Sequence, residues 1–419
     1  MESVPVPQHR MLCLAMAPDL LTAGHWREAL SSQLKAIPPS RRRSLRPLEL
    51  SGAGAGFRSK SPTGPSQPLL DLASNDYLGL SRHPAVVAAA QAAAACEGVG
   101  AGASRLVSGS RLVHTELEAA LAHWLGRERV LLFPSGFQAN LAAVTALADR
   151  HSLVLADRLI HHSLLVGVRA SGARLQRFAH NDLDDLEARL RIARLAAPQQ
   201  RLLVLSESLF SMEGTSPHVR ALAEICSRHG AALLLDEAHA LGVLGQGGRG
   251  LGYGVPEIAL ICGTFGKAFG SGGAFLAGDM LVGEWLLQSS GAFRYTTALA
   301  PPLAAAALAS LRLLSAAGSE RASHPSEALL ARAERWREAL AAAGWPRPAG
   351  EGPVLPLLIG DDQRALQLQQ HLEAAGLLAV AIRPPTVPPG TARLRLVLHH
   401  NLPGGTLERL LHALGPALR

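Results

Sequence analysis

AALLLDEAHALG (231–242) is the stretch on which the fold turns. Small and apolar residues run without interruption to Leu235, and Asp236, Glu237 and His239 then follow within four positions. A strand with no polar alternation is buried on both faces, as happens in a parallel sheet covered on each side by helices. RVLLF (129–133), SLVLAD (152–157), RLLVLSES (201–208) and LICGTFG (260–266) have the same character. Helical stretches separate the runs, and HPAVVAAAQAAAACEG (83–98) and HTELEAALAHWLG (114–126) carry apolar residues at helical spacing. The expected fold class is therefore α/β with a mainly parallel sheet. A long alanine-rich helix is expected near 301–316. Beyond it, VLPLLIG (354–360) and RLRLVL (393–398) alternate with helices as in a smaller α+β domain. The expected division is an N-terminal helical segment and Gly/Pro-rich linker (1–70), in which SGAGAGFRSKSPTGPSQP (51–68) reads as a loop, a large domain (71–314) and a small C-terminal domain (315–419).

Composition narrows the function. Of 419 residues, 48% are hydrophobic and 17% charged, the reverse of a disordered chain. The net charge of +7 raises the question of nucleic acid, but the arginines are scattered and only RRRSLR (41–46) is dense, so no nucleic-acid partner is expected. Cys13, Cys96, Cys226 and Cys262 lie far apart with no CxxC, which argues against a metal site or a disulfide framework and fits a reducing cytoplasm. There is no signal-peptide pattern and no apolar run of about 18 residues, so neither export nor a membrane span is expected.

In a parallel sheet, ligands sit beyond the carboxyl ends of the strands. Those ends hold Asp236 and His239, Glu207 and Ser211, Asp157 with His161 and His162, and Thr264 with Lys267. Taken singly, each has an ordinary reading: a strand-end Asp caps helices, a His is often structural, and a lysine is usually at the surface. Taken together they converge on one crevice. FPSGFQANLAAVTALA (133–148) adds a Ser135-Gly136 turn into a helix, whose unpaired amides and dipole favour an anion. An amine, a carboxylate for a ring nitrogen and a phosphate cradle are the requirements of pyridoxal phosphate. Neither GxGxxG nor GxxxxGK[ST] competes. Reading TFGK (264–267) as the SxxK of a serine–lysine hydrolase leaves the acid and the imidazoles without roles.

SNDYLGLSRHP (74–84), GASRLVSGS (102–110), FPSGFQAN (133–140), ESLFSMEG (207–214), LLLDEAHALGVLG (233–245), TFGKAFGSGG (264–273) and RYTTALAPP (294–302) resemble, in order, the α-oxoamine synthases. These are pyridoxal phosphate enzymes of the aspartate aminotransferase fold (fold type I), and the likeness runs over roughly 69–419. RFAHND (177–182) and AIRPPTVPPGTARLRL (381–396) are similar to the members that join L-alanine to a pimeloyl thioester, carried on CoA or acyl carrier protein, with loss of CO2. The glycine-using members remain the alternative. A non-catalytic regulator with an aminotransferase-like domain would need a helix-turn-helix, which residues 1–68 are too broken to form. GVGAGASR (98–105) departs from the family's GxGSGGSR at Ala101 and Ala103.

The resemblance implies roles residue by residue. Lys267 would be the Schiff-base lysine and, once freed, the general base; Asp236 would pair with the ring nitrogen, and His161 would stack on the ring. His239, with Ser211, would bond the phenolic oxygen. Gly136 and Phe137 amides and Thr264 would hold the phosphate, and Thr297 would reach it from the other subunit of a homodimer. Arg383 would clamp the substrate carboxylate, with Asn75, Thr386 and an arginine of 41–43, first Arg41, as further substrate contacts.

Overall fold

The computed structural model describes residues 25–51, 56–59, 67–317 and 324–416. Cys13 and most of the 51–68 stretch lie outside the described residues. The chain divides after Arg46 into two units. In the first, helix α1 (His25–Ala36) is followed by a 3-10 turn, Pro39–Arg41, which ends on Arg41.

The second unit opens with an antiparallel ribbon of β1 (Leu48–Leu50), β2 (Gly56–Ser59) and β3 (Gln67–Asp71). This differs from the loop expected over 51–68. A Cβ on Gly56 would lie 2.5 Å from the Leu69 carbonyl oxygen, so glycine there admits close strand pairing rather than marking a linker. Helices α2 (Pro84–Glu97) and α3 (Leu112–Leu125) follow.

The chain then alternates: β4 (Arg129–Phe133), α4 (Gly136–Leu147), β5 (Leu153–Asp157), α5 (His162–Ser171), β6 (Arg174–Phe178), α6 (Leu183–Ala196), β7 (Leu202–Glu207), α7 (Val219–Arg228) and β8 (Ala232–Asp236). Next come β9 (Leu260–Thr264) and β10 (Ala274–Gly278), then α8 (Met280–Ser289), α9 (Gly291–Arg294) and α10 (Pro301–Ala317). The seven central strands stand in the order β4-β10-β9-β8-β7-β5-β6. Every pair is parallel except those of β10, which runs against both β4 and β9. Ser135, Asp182 and Asp279 cap α4, α6 and α8 by accepting a first-turn N–H, which starts each helix where its strand ends.

Two cores explain the continuous apolar strands. Leu153, Leu155, Leu233 and Leu235 face one core, whereas Val154, Ala156 and Leu234 face the other. Truncating one such leucine to alanine costs about 2–5 kcal/mol. The expected strands are present, and β6 and β10 are additions. β6 is an edge strand, RLQRF, whose charged residues hide its strand character; in β10, AFLAG, three of five residues are alanine or glycine.

The C-terminal part contains α11 (Pro325–Ala342), β11 (Val354–Gly360), α12 (Asp362–Ala374), β12 (Leu377–Leu378), β13 (Val380–Ile382), β14 (Ala392–Val397) and α13 (Thr406–Leu414). β11, β14 and β13 form an antiparallel sheet, while β12 runs parallel to β3. Among the described residues no helix is long and apolar enough to cross a membrane.

Candidate active site

Asp236 ends β8 and is 5% exposed. Its Oδ1 accepts the Ala238 N–H at 2.9 Å and its Oδ2 accepts Asn140 Nδ2 at 2.7 Å. Asn140 also donates to Ser163 Oγ at 3.0 Å, and that hydroxyl lies 2.7 Å from His161 Nδ1. His161 Nδ1 also accepts the Ser163 N–H at 3.4 Å, so this nitrogen carries a lone pair and the Ser163 hydroxyl donates to it. Burial depresses the His161 pKa; Asp236 opposes this, while the Lys267 and His162 charges reinforce it. The ring is therefore neutral near pH 7. A chain of hydrogen bonds thus ties Asp236, at the end of β8, to His161, the N-cap of α5.

Lys267 lies half-buried in the loop between β9 and β10. Phe265 N–H donates to Gly273 O at 2.9 Å and Ser271 N–H to Phe265 O at 2.8 Å, closing the loop. Gly270 has φ +60°, and a Cβ there would sit 2.1 Å from Ser81 N, so only glycine lets the loop pack on that backbone. Burial lowers the Lys267 pKa to about 8, against the Asp236 and Glu207 carboxylates, which raise it. Glu207 ends β7 and accepts the His161 N–H at 2.6 Å. Burial, and then the Asp236 charge, push its carboxyl well above the usual range. His239 is buried, and desolvation followed by the Lys267, Arg395 and His161 charges keeps its pKa well below that of a free imidazole.

The amino end of α4 faces Thr264. A Cβ on Gly136 would lie 3.8 Å from Thr264 Cβ. The Thr264 hydroxyl donates to Gly273 O at 3.0 Å and accepts Gly266 N–H at 3.2 Å. Phe137 follows Gly136 and is 44% exposed. This edge presents helix-terminal amides beside the lysine loop.

From β14, Arg395 Nε donates to Ser211 O at 2.7 Å and Nη2 to Asn75 Oδ1 at 2.9 Å. Its charge also acts on Lys267, His239 and Tyr77, which places it at the same cleft. Arg383 is buried just after β13, and its carbonyl accepts the N–H of exposed Thr386 at 3.1 Å. Thr297 is exposed and lines a surface cavity of about 440 Å³ with Leu106, Val107 and Tyr295. Arg41 belongs to the other unit.

The model of the family "Aminotransferase class I and II" matches residues 67–414. The chain belongs to that family. The 8-amino-7-oxononanoate synthase of Stutzerimonas stutzeri is 45% identical over 364 residues, 85% of this chain and 90% of that protein. A high-resolution structure of SPT with PLP internal aldimine is 27% identical, with a TM-score of 0.82 over 94% of this chain and 97% of that one. The crystal structure of 8-amino-7-oxononanoate synthase from Francisella tularensis is also 27% identical, with a TM-score of 0.69 over 83% and 96%. The fold is that of fold type I pyridoxal phosphate enzymes.

Within this aminotransferase class I and II chain, four polar residues at the cleft escaped the sequence reading: Asn140, Ser163, Tyr77 and Arg395. Asn140 had a signal, being a polar residue in a mostly apolar helix, and it is buried in the structure. Arg395 stood in the same quoted segment as Arg383, and only the strand register separates them, since Arg395 pairs with Pro356 and Val380 inside the small sheet.

Proposed function

We propose that the chain is an 8-amino-7-oxononanoate synthase. As such it is a pyridoxal phosphate-dependent acyltransferase of biotin biosynthesis that condenses L-alanine with a pimeloyl thioester and releases CO2 and the thiol carrier. The observation that carries the reading is Lys267: an amine with its pKa drawn down to about 8, coupled to Asp236, Glu207, His161 and His239 at the strand ends. The curated relatives supply the specific activity.

The donor set fits the cofactor. Asp236 has both oxygens fixed by hydrogen bonds and would face the ring nitrogen. His161 would lie on the ring and His239 at its phenolic oxygen, with Ser211 nearby. Gly136, Phe137 and Thr264 would receive the phosphate at the start of α4, and Lys267 would hold the cofactor covalently. When bound, pyridoxal phosphate supplies a carbon that takes up an amine and a ring that withdraws electrons.

The chain's own residues do the rest. With a pKa near 8, about a fifth of Lys267 Nζ is neutral near pH 7.4, far more than for an ordinary lysine, and this form can remove a proton from the alanine α-carbon, later returning one to the product. Arg395, joined by Arg383, orients the alanine carboxylate, for which a planar guanidinium fork is suited; Asn75 is held in place by Arg395. Thr386 and Arg41 are proposed contacts of the acyl substrate. Residues 71–314 form the large cofactor-binding part and 315–419 the small part.

The active form is proposed to be a homodimer with Thr297 contributing in trans. Tyr295 and Val107, 80% and 79% exposed, flank it as apolar surface suited to a second copy.

Steady-state assays with L-alanine or glycine, each against pimeloyl and acetyl thioesters, test the reading. L-alanine with a pimeloyl thioester is expected to give the highest kcat/KM, with one CO2 per turnover. A preference for glycine overturns it.

A further inference from the structure

Tyr77 and His239 come from positions 162 residues apart and meet at 2.6 Å between Oη and Nδ1. Tyr77 is fully buried. Its hydroxyl has a single proton and two other neighbours: Asn75 Oδ1 at 3.3 Å, and the Arg395 guanidinium, which can only donate to it. The Asn75 oxygen already accepts Arg395 Nη2 at 2.9 Å. The other ring nitrogen of His239, Nε2, has no hydrogen-bond partner among the described residues.

A neutral His239 carries one ring hydrogen, and its pKa, held well below the ordinary value, keeps it neutral. Two arrangements satisfy the geometry. In one, Tyr77 donates to Nδ1 and Nε2 carries the hydrogen. In the other, Nδ1–H donates to Tyr77, whose own proton must reach Asn75 Oδ1. The second places the phenol proton on the longer contact, to an oxygen already engaged by a guanidinium. It also makes an N–H donor sit at 2.6 Å, shorter than the roughly 2.9–3.0 Å such bonds prefer, whereas short contacts are ordinary for O–H donors.

We propose that Tyr77 is a positioning residue whose phenol donates to Nδ1 of His239, fixing the ring hydrogen on Nε2 and making His239 a hydrogen-bond donor into the Lys267 cleft. For a cofactor with an anionic phenolic oxygen, a donor at that place lowers the energy of the phenolate; the other tautomer would present a lone pair and repel it. The effect on the cofactor rests on the reading of this cleft as a pyridoxal phosphate site, whereas the tautomer itself does not.

The test starts with cofactor-free protein carrying 15N-labelled histidine, read by long-range 1H–15N correlation, with the His239 signals identified by their loss in His239→Gln. Wild type is expected to show Nε2 protonated and Nδ1 as a hydrogen-bonded acceptor; a proton on Nδ1 overturns the proposal without any further variant. In Tyr77→Phe, the Nδ1 resonance is expected to move and the tautomer to become mixed, and an unchanged spectrum overturns the part given to Tyr77. With pyridoxal phosphate added, Tyr77→Phe is expected to move the pH at which the bound cofactor's visible band titrates by about one pH unit. It should also lower kcat about 5- to 10-fold while KM for L-alanine stays within about twofold. If the wild-type protein takes up no pyridoxal phosphate, the functional reading fails, and the tautomer spectra still decide the role of Tyr77.

Discussion

Asn140 Nδ2 donates to Asp236 Oδ2 across 2.7 Å, linking the first turns of α4 to the carboxyl end of β8. The same amide group holds Ser163 and, through it, His161. Asn140→Ala removes both bonds inside a buried site. Pyridoxal phosphate affinity is expected to fall about tenfold, from the loss of roughly 1–3 kcal/mol of hydrogen bonding. Absorption titration of the cofactor-free variant measures it, and an unchanged Kd contradicts the linkage.

Covalent cofactor attachment needs a neutral amine. Because the Lys267 pKa is drawn down to about 8, the rate of cofactor uptake by the cofactor-free protein is expected to climb with pH and level off above about 8. Lys267→Ala should abolish borohydride-fixed label and lower kcat by about 10²–10⁴-fold. The sequence has three lysines, Lys35, Lys60 and Lys267, so cleavage after lysine, blocked at a labelled Lys267, isolates the label in the uncut 61–419 fragment. Label that persists in Lys267→Ala argues against the assignment.

Arg395→Lys keeps the charge but loses the fork that bonds Asn75 and Ser211 O. KM for L-alanine is expected to rise at least about tenfold, with a smaller change in KM for the thioester. Arg383→Lys, measured beside it, shows which arginine carries the carboxylate.

Glu237 accepts Ser208 Oγ at 2.6 Å and Gly252 N–H at 2.6 Å, and burial raises its carboxyl to about 7. In the unfolded chain it titrates near 4.5. Between these values the folded protein binds more protons than the unfolded one, so this group's stabilisation is full below pH 4.5 and is lost as pH rises through 7. The loss amounts to up to about 3 kcal/mol. Denaturant unfolding at pH 5 and pH 8 should show the wild type losing more stability than Glu237→Gln over that interval; parallel losses would remove the effect.

For the homodimer, Val107→Asp is expected to shift the species seen by light scattering from dimer to monomer and to reduce activity with it. A wild-type protein that is monomeric at assay concentration overturns the shared site.

How much of this was readable beforehand follows from how local each signal is. The strands that end on Asp236 and Glu207, and the one just before Lys267, announced themselves, because burial on both faces leaves continuous apolar runs. β10 did not, since five residues rich in alanine and glycine carry no period, and its reversed direction is set by pairing with β4 and β9. Side chains that act on one another across the sheet were silent as well. Asn140 and Asp236 are 96 residues apart, and nothing in either segment says they touch. Arg395 reads as one of two arginines on a strand until the loop at Ser211 is laid against it.

The reversed strand has a mechanical consequence. Had β9 been followed by a crossover, Lys267 would ride on a segment free to swing with its helix. Instead both ends of its loop run straight into interior strands, and its far side is pressed on the backbone at Ser81. Moving the loop would mean unzipping the middle of the sheet. The travel of the amine between cofactor and substrate therefore belongs to four methylenes turning on a fixed hub, with no rearrangement of this loop required.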